Sequence, residues 1–536
     1  MKRRTLPEWA GGFLLAGIFF LVGLLFIYRD AVVEPDSVRV AFGIVRGITT
    51  GDGLQTRDLY GRTFSFGYYL LFFALYPRFF SGFGPLPAVM NGLNLVSTTL
   101  ALCFAFLWMR ELWGRRIALA AIALLATTPV LFELGGYGHP EGPAFLLLNL
   151  ALFLAWRGLR PGSAHPGLLL VAAALAAFLA TTMRADVLFA FPLFPLAAPL
   201  AAGRLRAGRA FAIGLAIAVA ATAAFFLAQR AVIAHIPPRL GPAPGGAFTG
   251  EVKLASFFLE YWAIAKEVRS LAKGIAVWAT GFGPLALAIS LGAVVLLAFE
   301  RNQRRFALAA LGVLLPSALF WLPDPTPSRH LLMTFLVLAP AAMILPALHV
   351  PGRRFAVLVA LFLVLNLIAM DVIYPIVVRN YRFTFVSALP RRTNLWVPMG
   401  NPITNRIWAS RKVQLELAEA RELAASGEKQ LFVLGGFVSL RLLYELYTRG
   451  PHTVDYVWRH EAFLYQVRSG GAEYLIYDYG GPQQVTPAAL VERMDAAGEL
   501  TGWTIAIVSS DRPIVGAAEV PPGHRAFPWR GARNPR

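Results

Sequence analysis

The stretch FIYRDAVVEPDSVRVAF, residues 26–42, leaves a long apolar run and at once supplies Glu34, Asp36 and Arg39. A three-residue spacing puts Asp36 and Arg39 on one face of a helix. A carboxylate is a general base for a hydroxyl proton, and a guanidinium fork matches phosphate oxygens. More such groups recur along the chain: Arg62, then His139 and Glu141 in GYGHPEGPAFLL, Arg184 and Asp186 in TTMRAD, and Asp324, Arg329 and His330 in PDPTPSRHLL. Together they suit group transfer from a phosphate-linked donor, in which a base takes the acceptor's proton while fixed cations stabilise the departing phosphate.

Each residue also has a plainer reading. Asp36 ahead of a helical stretch is a good N-cap, and Arg39 is its intrahelical partner. Glu34 precedes Pro35 and faces water. Arg184 at the end of an apolar run can snorkel. His139 and Glu141, two ligands around a proline, are a weak signal for a metal pair: a divalent metal is possible but not indicated, and no cofactor is assigned. The aromatics of FGYYLLFF read as an interface belt before they read as a sugar platform.

Positioning these groups falls to membrane-spanning helices. The 536-residue chain is 57% hydrophobic and 15% charged, with a mean hydropathy of +0.58. That is too apolar for an ordinary soluble protein. Apolar runs at 10–28, 88–109, 117–135, 142–156, 168–182, 186–203, 210–228, 275–298, 306–321, 331–348 and 355–374 predict about eleven spans, each long enough or nearly so for a bilayer core of about 30 Å. The first has no small-residue cleavage site and reads as an anchor. A net charge of +19 would suggest nucleic acid in a soluble protein. Here the cations cluster in alternate short connections: Lys2, Arg3 and Arg4; Arg110, Arg115 and Arg116; Arg157 and Arg160; Arg204, Arg206 and Arg209; Arg301, Arg304 and Arg305; Arg353 and Arg354. The intervening short turns hold only Arg184 and Arg329. Charge bias of this kind sets orientation, so the cluster-bearing side and the N-terminus are predicted cytoplasmic, and no nucleic-acid partner is expected. The single Cys103 lies in an apolar run, which excludes a disulfide framework.

FSFGYYLLFFALYPRFF, 64–80, is apolar enough to span, but a span there would put RELWGRR on the wrong side. It is read as an interfacial or re-entrant helix in an outer loop, 29–87, and LASFFLEYWAIAKEV as another in the outer loop 229–274. Residues 1–374 thus form the transmembrane domain, 375–400 a linker, and 401–536 an extracytoplasmic α/β domain. There KQLFVLGG, HTVDYV, AEYLIYDY and WTIAIVSS read as buried strands alternating with the helical stretches SLRLLYELYTR and TPAALVERMDAAG. Gly435-Gly436 is not a dinucleotide fingerprint. Asp36, Arg39, Arg62, His139, Glu141, Arg184, Asp186, Asp324, Arg329 and His330 then share the outer side, where ionisable groups near the membrane mark a site. Nucleotide-activated donors are absent there, which leaves a polyprenyl phosphate as the activated donor.

At this point the chain resembles the GT-C superfamily of membrane glycosyltransferases, above all the aminoarabinose (lipid A) transferase and protein-mannosyltransferase-like branch. The resemblance, over about 8–345, rests on Pro35-Asp36-Ser37-Val38-Arg39 after the first span and AFGIVRGITTGDG ending in Thr50-Gly51-Asp52. It rests further on the basic turn RELWGRR, the acidic turn with Glu141, Thr182-Met183-Arg184, and PTPSRHLL before a late span. It implies inverting transfer from a polyprenyl-phosphate sugar at the outer face of a bacterial inner membrane to a lipid, glycan or protein hydroxyl. By the same resemblance Asp36 is the catalytic base, Arg39 and Arg62 contact the donor phosphate, and Arg184 and Arg329 are further cations. Relatives often show Glu-Lys-Pro where this chain has Gly61-Arg62-Thr63, so a carboxylate is lost and Glu34 or Glu141 is its stand-in. His139 and His330 complete the substrate-binding candidates, with Glu141 beside Asp36 in the catalytic set.

A transporter of a lipid-linked or anionic substrate is the rival of another class, and it calls for internal repeats and broken mid-membrane helices; no convincing repeat is found. A membrane-anchored assembly protein would leave the polar constellation unused. A reporter fused after residue 374 is expected to be active only outside the cytoplasm; a cytoplasmically active fusion would overturn the orientation.

Overall fold

In the computed structural model the described residues are 7, 9–25, 27, 35–50, 65–135, 138–202, 207–234, 271–321 and 331–380. Short pieces between 417 and 529, including five strands, complete them. The interfacial helix expected within 229–274 lies outside the described residues, as does 381–400 of the expected 375–400 linker; residues 375–380 instead continue the last helix of the bundle.

Helix α1 (Ala10–Leu25) packs along α4 (Leu86–Trp113), and glycines let the two backbones approach. A Cβ on Gly12 would collide with the Phe106 ring, and one on Gly23 with Leu95. Early α1 thus meets late α4 and late α1 meets early α4, so the two run antiparallel. The chain between them therefore begins and ends at the same end of the bundle. Two helices lie in that stretch, α2 (Pro35–Thr50) and α3 (Phe66–Phe79). With 14 residues, α3 is about 21 Å long, well short of a bilayer core of about 30 Å.

After Gly114, whose φ of 83° suits only glycine, the chain reverses into α5 (Arg115–Ala126). The expected 117–135 run is not one helix. Thr127 and Thr128 turn their hydroxyls onto carbonyls of the preceding turn, and Pro129 opens a new helix, α6 (Pro129–Leu134). Helices α7 (Glu141–Leu159) and α8 (Pro166–Met183) form an antiparallel hairpin against α4. A 3₁₀ turn (Ala185–Ala190), α9 (Leu193–Ala202) and α10 (Ala207–Ala234) follow. Then come α11 (Leu271–Phe282), α12 (Pro284–Phe299), α13 (Arg304–Trp321), α14 (Leu332–His349) and α15 (Gly352–Asn380).

The expected span 275–298 is likewise divided, at Gly283 with φ 100°. The break is secured from another helix: Asn366 of α15 accepts the Ala286 N–H through its side-chain oxygen at 3.0 Å, capping α12. By length and composition, six of the described helices can cross a membrane: α4, α7, α8, α10, α14 and α15. Among these α14 is the hub, buried continuously from Leu332 to Ile344. The rim helices turn apolar stripes outward, as Leu168, Val171, Leu175 and Leu179 on α8 and Leu361, Val364, Leu365 and Ile368 on α15 do. Such stripes are stable facing hydrocarbon and costly facing water.

One end of the bundle gathers arginines. Glu111 near the end of α4 accepts from Arg157 at 3.2 Å and Arg160 at 2.5 Å at the end of α7. Arg116 donates to the Val350 carbonyl and lies over the Phe355 ring, 4.6 Å from its centroid. Trp113 meets Phe306 at the start of α13.

Near the C-terminus five strands form one sheet: β1 (Gln430–Leu434), β2 (Val454–Val457), β3 (Tyr474–Asp478), β4 (Thr504–Val508) and β5 (Ala526–Trp529), in the order β2-β3-β1-β4-β5. The first four are parallel, and Leu434 pairs with both Asp478 and Val508. All four were expected from their apolar runs; β5 was not. It is an antiparallel edge strand, the one place where a proline such as Pro528 is tolerated.

The bundle's tightness can be tested at α10. A Cβ on Gly214 would lie 2.1 Å from the Phe194 carbonyl oxygen, a backbone atom that cannot swing away. Gly214→Ala is expected to destabilise the detergent-solubilised protein by about 1–3 kcal/mol. Gly292→Ala in α12 meets nothing within 4 Å and should be neutral or stabilising. Thermal unfolding of the two side by side decides; equal melting temperatures would refute the packing.

Candidate functional site

Opposite the arginine-rich end, residues 138–142 bring Glu141 to the first position of α7. A carboxylate there meets the positive end of the helix dipole. The turn sits tightly on α4, where a Cβ on Gly142 would lie 2.5 Å from the Asn94 side-chain oxygen. Glu141 is therefore carried inside the bundle, 1% exposed, with His139 at 3%. A buried carboxylate needs compensation, and two neighbouring side chains, His139 and Arg184, contribute to it. His139 Nδ1 is hydrogen-bonded to Glu141 Oε2. Arg184 Nη1 lies 3.7 Å from Glu141 Oε1. The same guanidinium donates through Nε to Asp186 Oδ2 at 3.1 Å.

Arg184 reaches this place because α8 stops there. Its last residues, Thr181 and Thr182, bond back to the carbonyls of Phe178 and Leu179, and the backbone becomes extended at Arg184 before the 3₁₀ turn that carries Asp186. Helix α3 closes over that stop. A Cβ on Gly67 would lie 2.3 Å from Thr182 Oγ1, and the next residue, Tyr68, is fully buried near Glu141. Burial first, then Tyr69 and Glu141, push the Tyr68 phenol well above its ordinary pKa, so it stays an O–H donor. Its hydroxyl has no hydrogen-bond partner among the described residues.

Helix α2 lies across the same end. Val40, Ala41, Ile44 and Val45 pack with Tyr68, Tyr69, Phe72, Leu86 and Met90, with Met183 against the cluster. Tyr444, just ahead of the C-terminal strands β2–β5, joins this cluster, and its O–H donates to the Phe83 carbonyl at 3.4 Å. A piece of the C-terminal region thus rests on the turn that follows α3.

Of the residues singled out by sequence, the structure brings His139, Glu141, Arg184 and Asp186 together. Asp36 and Arg39 stand one turn apart at the start of α2, with their side chains outside the described part. Glu34, Arg62, Asp324, Arg329 and His330 lie outside the described residues. Tyr68 was not singled out; in the sequence it is one of many aromatics, and only tertiary packing separates it from its neighbours. Among the described residues no three of His, Cys, Asp and Glu converge as a metal site requires.

No protein-family model matches the chain, and no curated protein matches its sequence. Its fold is similar to two crystal structures of ArnT from Cupriavidus metallidurans. The one bound to undecaprenyl phosphate superposes with a TM-score of 0.57, the apo state with 0.53; in each case the identity is 14% and the match covers 92% of both chains. The resemblance to the aminoarabinose-transferase branch of the GT-C superfamily therefore holds at the level of the fold.

The Glu141–Arg184 pairing predicts a thermodynamic coupling. Arg184→Met removes the cation between two carboxylates and should cost on the order of 2 kcal/mol. Adding Glu141→Gln should restore part of that loss. A double-mutant cycle by thermal unfolding reads the coupling, and strict additivity would show that the two do not interact.

Proposed function

We propose that this chain is an inverting membrane glycosyltransferase. It moves a sugar from a polyprenyl-phosphate donor to a lipid, glycan or protein hydroxyl at the outer face of the cytoplasmic membrane. The observation that carries the reading is the buried Glu141–Arg184–Asp186 network with His139, at the end of the bundle where α2 packs with Asp36 in its first turn. Charges of both signs, largely buried and paired with one another, suit a substrate that has an anionic leaving group and polar hydroxyls. The opposite end pairs Glu111 with arginines whose side chains are 50% and 56% exposed, as topology alone requires. A fold shared with ArnT, crystallised with undecaprenyl phosphate, supports a lipid-borne phosphate as the leaving group.

In this reading Asp36 takes the acceptor's proton as its oxygen attacks the anomeric carbon. The bond to the phosphate oxygen breaks on the opposite face, and the electron pair leaves with the polyprenyl phosphate. One displacement inverts the anomeric centre. Arg39, Arg62 and Arg329 stabilise the phosphate as its charge develops, with Arg184 as a further cation and Glu34 and His330 at the margin. Glu141, with His139 against it, takes the place of the carboxylate that relatives carry beside their lysine. The N-terminus is cytoplasmic, and 401–536 form an extracytoplasmic domain over the site, a position to which the Tyr444–Phe83 contact lends support.

Asp36→Ala is expected to lower transfer from a polyprenyl-phosphate sugar, assayed in membranes, by at least about 100-fold with expression unchanged. Retained activity would remove the base assignment.

A further inference from the structure

We propose that Tyr68 and Glu141 together form a hydroxyl-recognition site, and that the group they hold is a non-reacting hydroxyl of the transferred sugar; the inference rests on the glycosyltransferase reading above. The Tyr68 phenol is fully buried and has no hydrogen-bond partner among the described residues. Its neighbour Gly67 packs on Thr182, two residues ahead of Arg184, and Arg184 pairs with Glu141. A buried O–H without a partner is a standing cost to the fold, and a site that keeps one is arranged for something that arrives. The two groups restrict what that is. Tyr68 offers a proton, and Glu141, as a carboxylate, accepts one.

A phosphodiester oxygen is excluded, because it could accept from Tyr68 but has no proton to donate to Glu141. An ammonium could donate to Glu141 but would leave the phenol proton unused. A hydroxyl satisfies both at once, accepting from Tyr68 and donating to Glu141. Held by His139 and Arg184, Glu141 serves here as a fixed acceptor while Asp36 is the base, which places the held hydroxyl on a part of the substrate that does not react. The sugar ring of the donor supplies such hydroxyls. Sites that hydrogen-bond a substrate hydroxyl discriminate strongly against analogues that lack it, so Tyr68 would be a specificity-determining binding residue.

The test uses the full chain in lipid nanodiscs, as wild type and as Tyr68→Phe. Thermal unfolding and Kd are measured with bare undecaprenyl phosphate and with undecaprenyl phosphates that carry glucose, mannose, arabinose or aminoarabinose. Wild type should bind at least one sugar-bearing lipid more tightly than the bare lipid. Tyr68→Phe should lose that increment, about tenfold in Kd, and bind the bare lipid as before. Without ligand the variant should melt at the same temperature as wild type or slightly higher, because a buried, unpartnered hydroxyl has been removed. A lower melting temperature of the ligand-free variant would show that the hydroxyl has a partner within the protein, which overturns the proposal. A retained increment in the variant, or a loss of bare-lipid binding, would overturn it while leaving the glycosyltransferase reading intact. Absence of binding by wild type to any of these lipids would overturn both.

Discussion

A carboxylate at the first position of α7, 1% exposed, is the group around which this end of the molecule is arranged. Taking a carboxylate out of water costs several kcal/mol unless partners compensate for the lost solvation. Here compensation comes from elements far apart in the chain: the dipole of α7 itself, His139 from the preceding turn, and Arg184 from the stop of α8. Each partner has a structural precondition. Arg184 arrives only because α8 breaks at Met183, and the break is covered by α3, whose Gly67 admits Thr182 without a side chain between them. The Gly142 contact with Asn94 sets the depth at which Glu141 sits. Packing and electrostatics are thus one problem here, since a bulkier residue at Gly67 or Gly142 would move a charge as well as a backbone.

The two ends of the bundle handle charge by different physics. At the arginine-rich end, Glu111 is inside but its partners Arg157 and Arg160 are half exposed, and pairs of that kind contribute little to stability. Their count and position matter for orientation, not for fold energy. At the Glu141 end, the side chains are far less exposed, 18% for Arg184, so the pairs are less screened by water and salt. Between the ends, neutral buried polar groups such as Thr98 and Asn149 bond to nearby groups. Asn149 accepts from the Trp108 indole at 2.9 Å and donates to the Phe145 carbonyl, which joins α4 to α7 without any ionisable group.

Much of this architecture was legible in the sequence, for reasons that also explain what was not. Spans are readable because a bilayer core imposes a minimum apolar length, and the ends of α4, α7, α8 and α14 fall close to the expected runs. The breaks at Thr127–Pro129 and at Gly283 escape a hydropathy window, because the residues that make them are short and neutral; the cap from Asn366 comes from 80 residues away. Strands β1 to β4 announce themselves as short apolar runs, whereas Ala526–Trp529 holds a proline and takes its place only by pairing with β4. His139, Glu141, Arg184 and Asp186 could be grouped from sequence because ionisable residues at span ends are rare. Tyr68 could not, since nothing in FGYYLLFF distinguishes one tyrosine from the next before α3 is laid on α8.

Helix α3 shows how the membrane constraint and the site depend on each other. Its exposed residues Leu70, Leu75 and Phe79 are as apolar as any lipid-facing stripe, so composition alone would let it span. The antiparallel packing of α1 on α4 excludes an odd number of crossings between them, and α2 and α3 are both short of a bilayer core. The segment is therefore retained at the Glu141 end with two unlike faces. One face buries Tyr68, Tyr69, Phe72 and Tyr76 against α2, the start of α4 and Tyr444. The other is apolar and needs hydrocarbon or a hydrophobic ligand beside it. A helix held this way forms the wall of the polar network with one face and an apolar outer surface with the other.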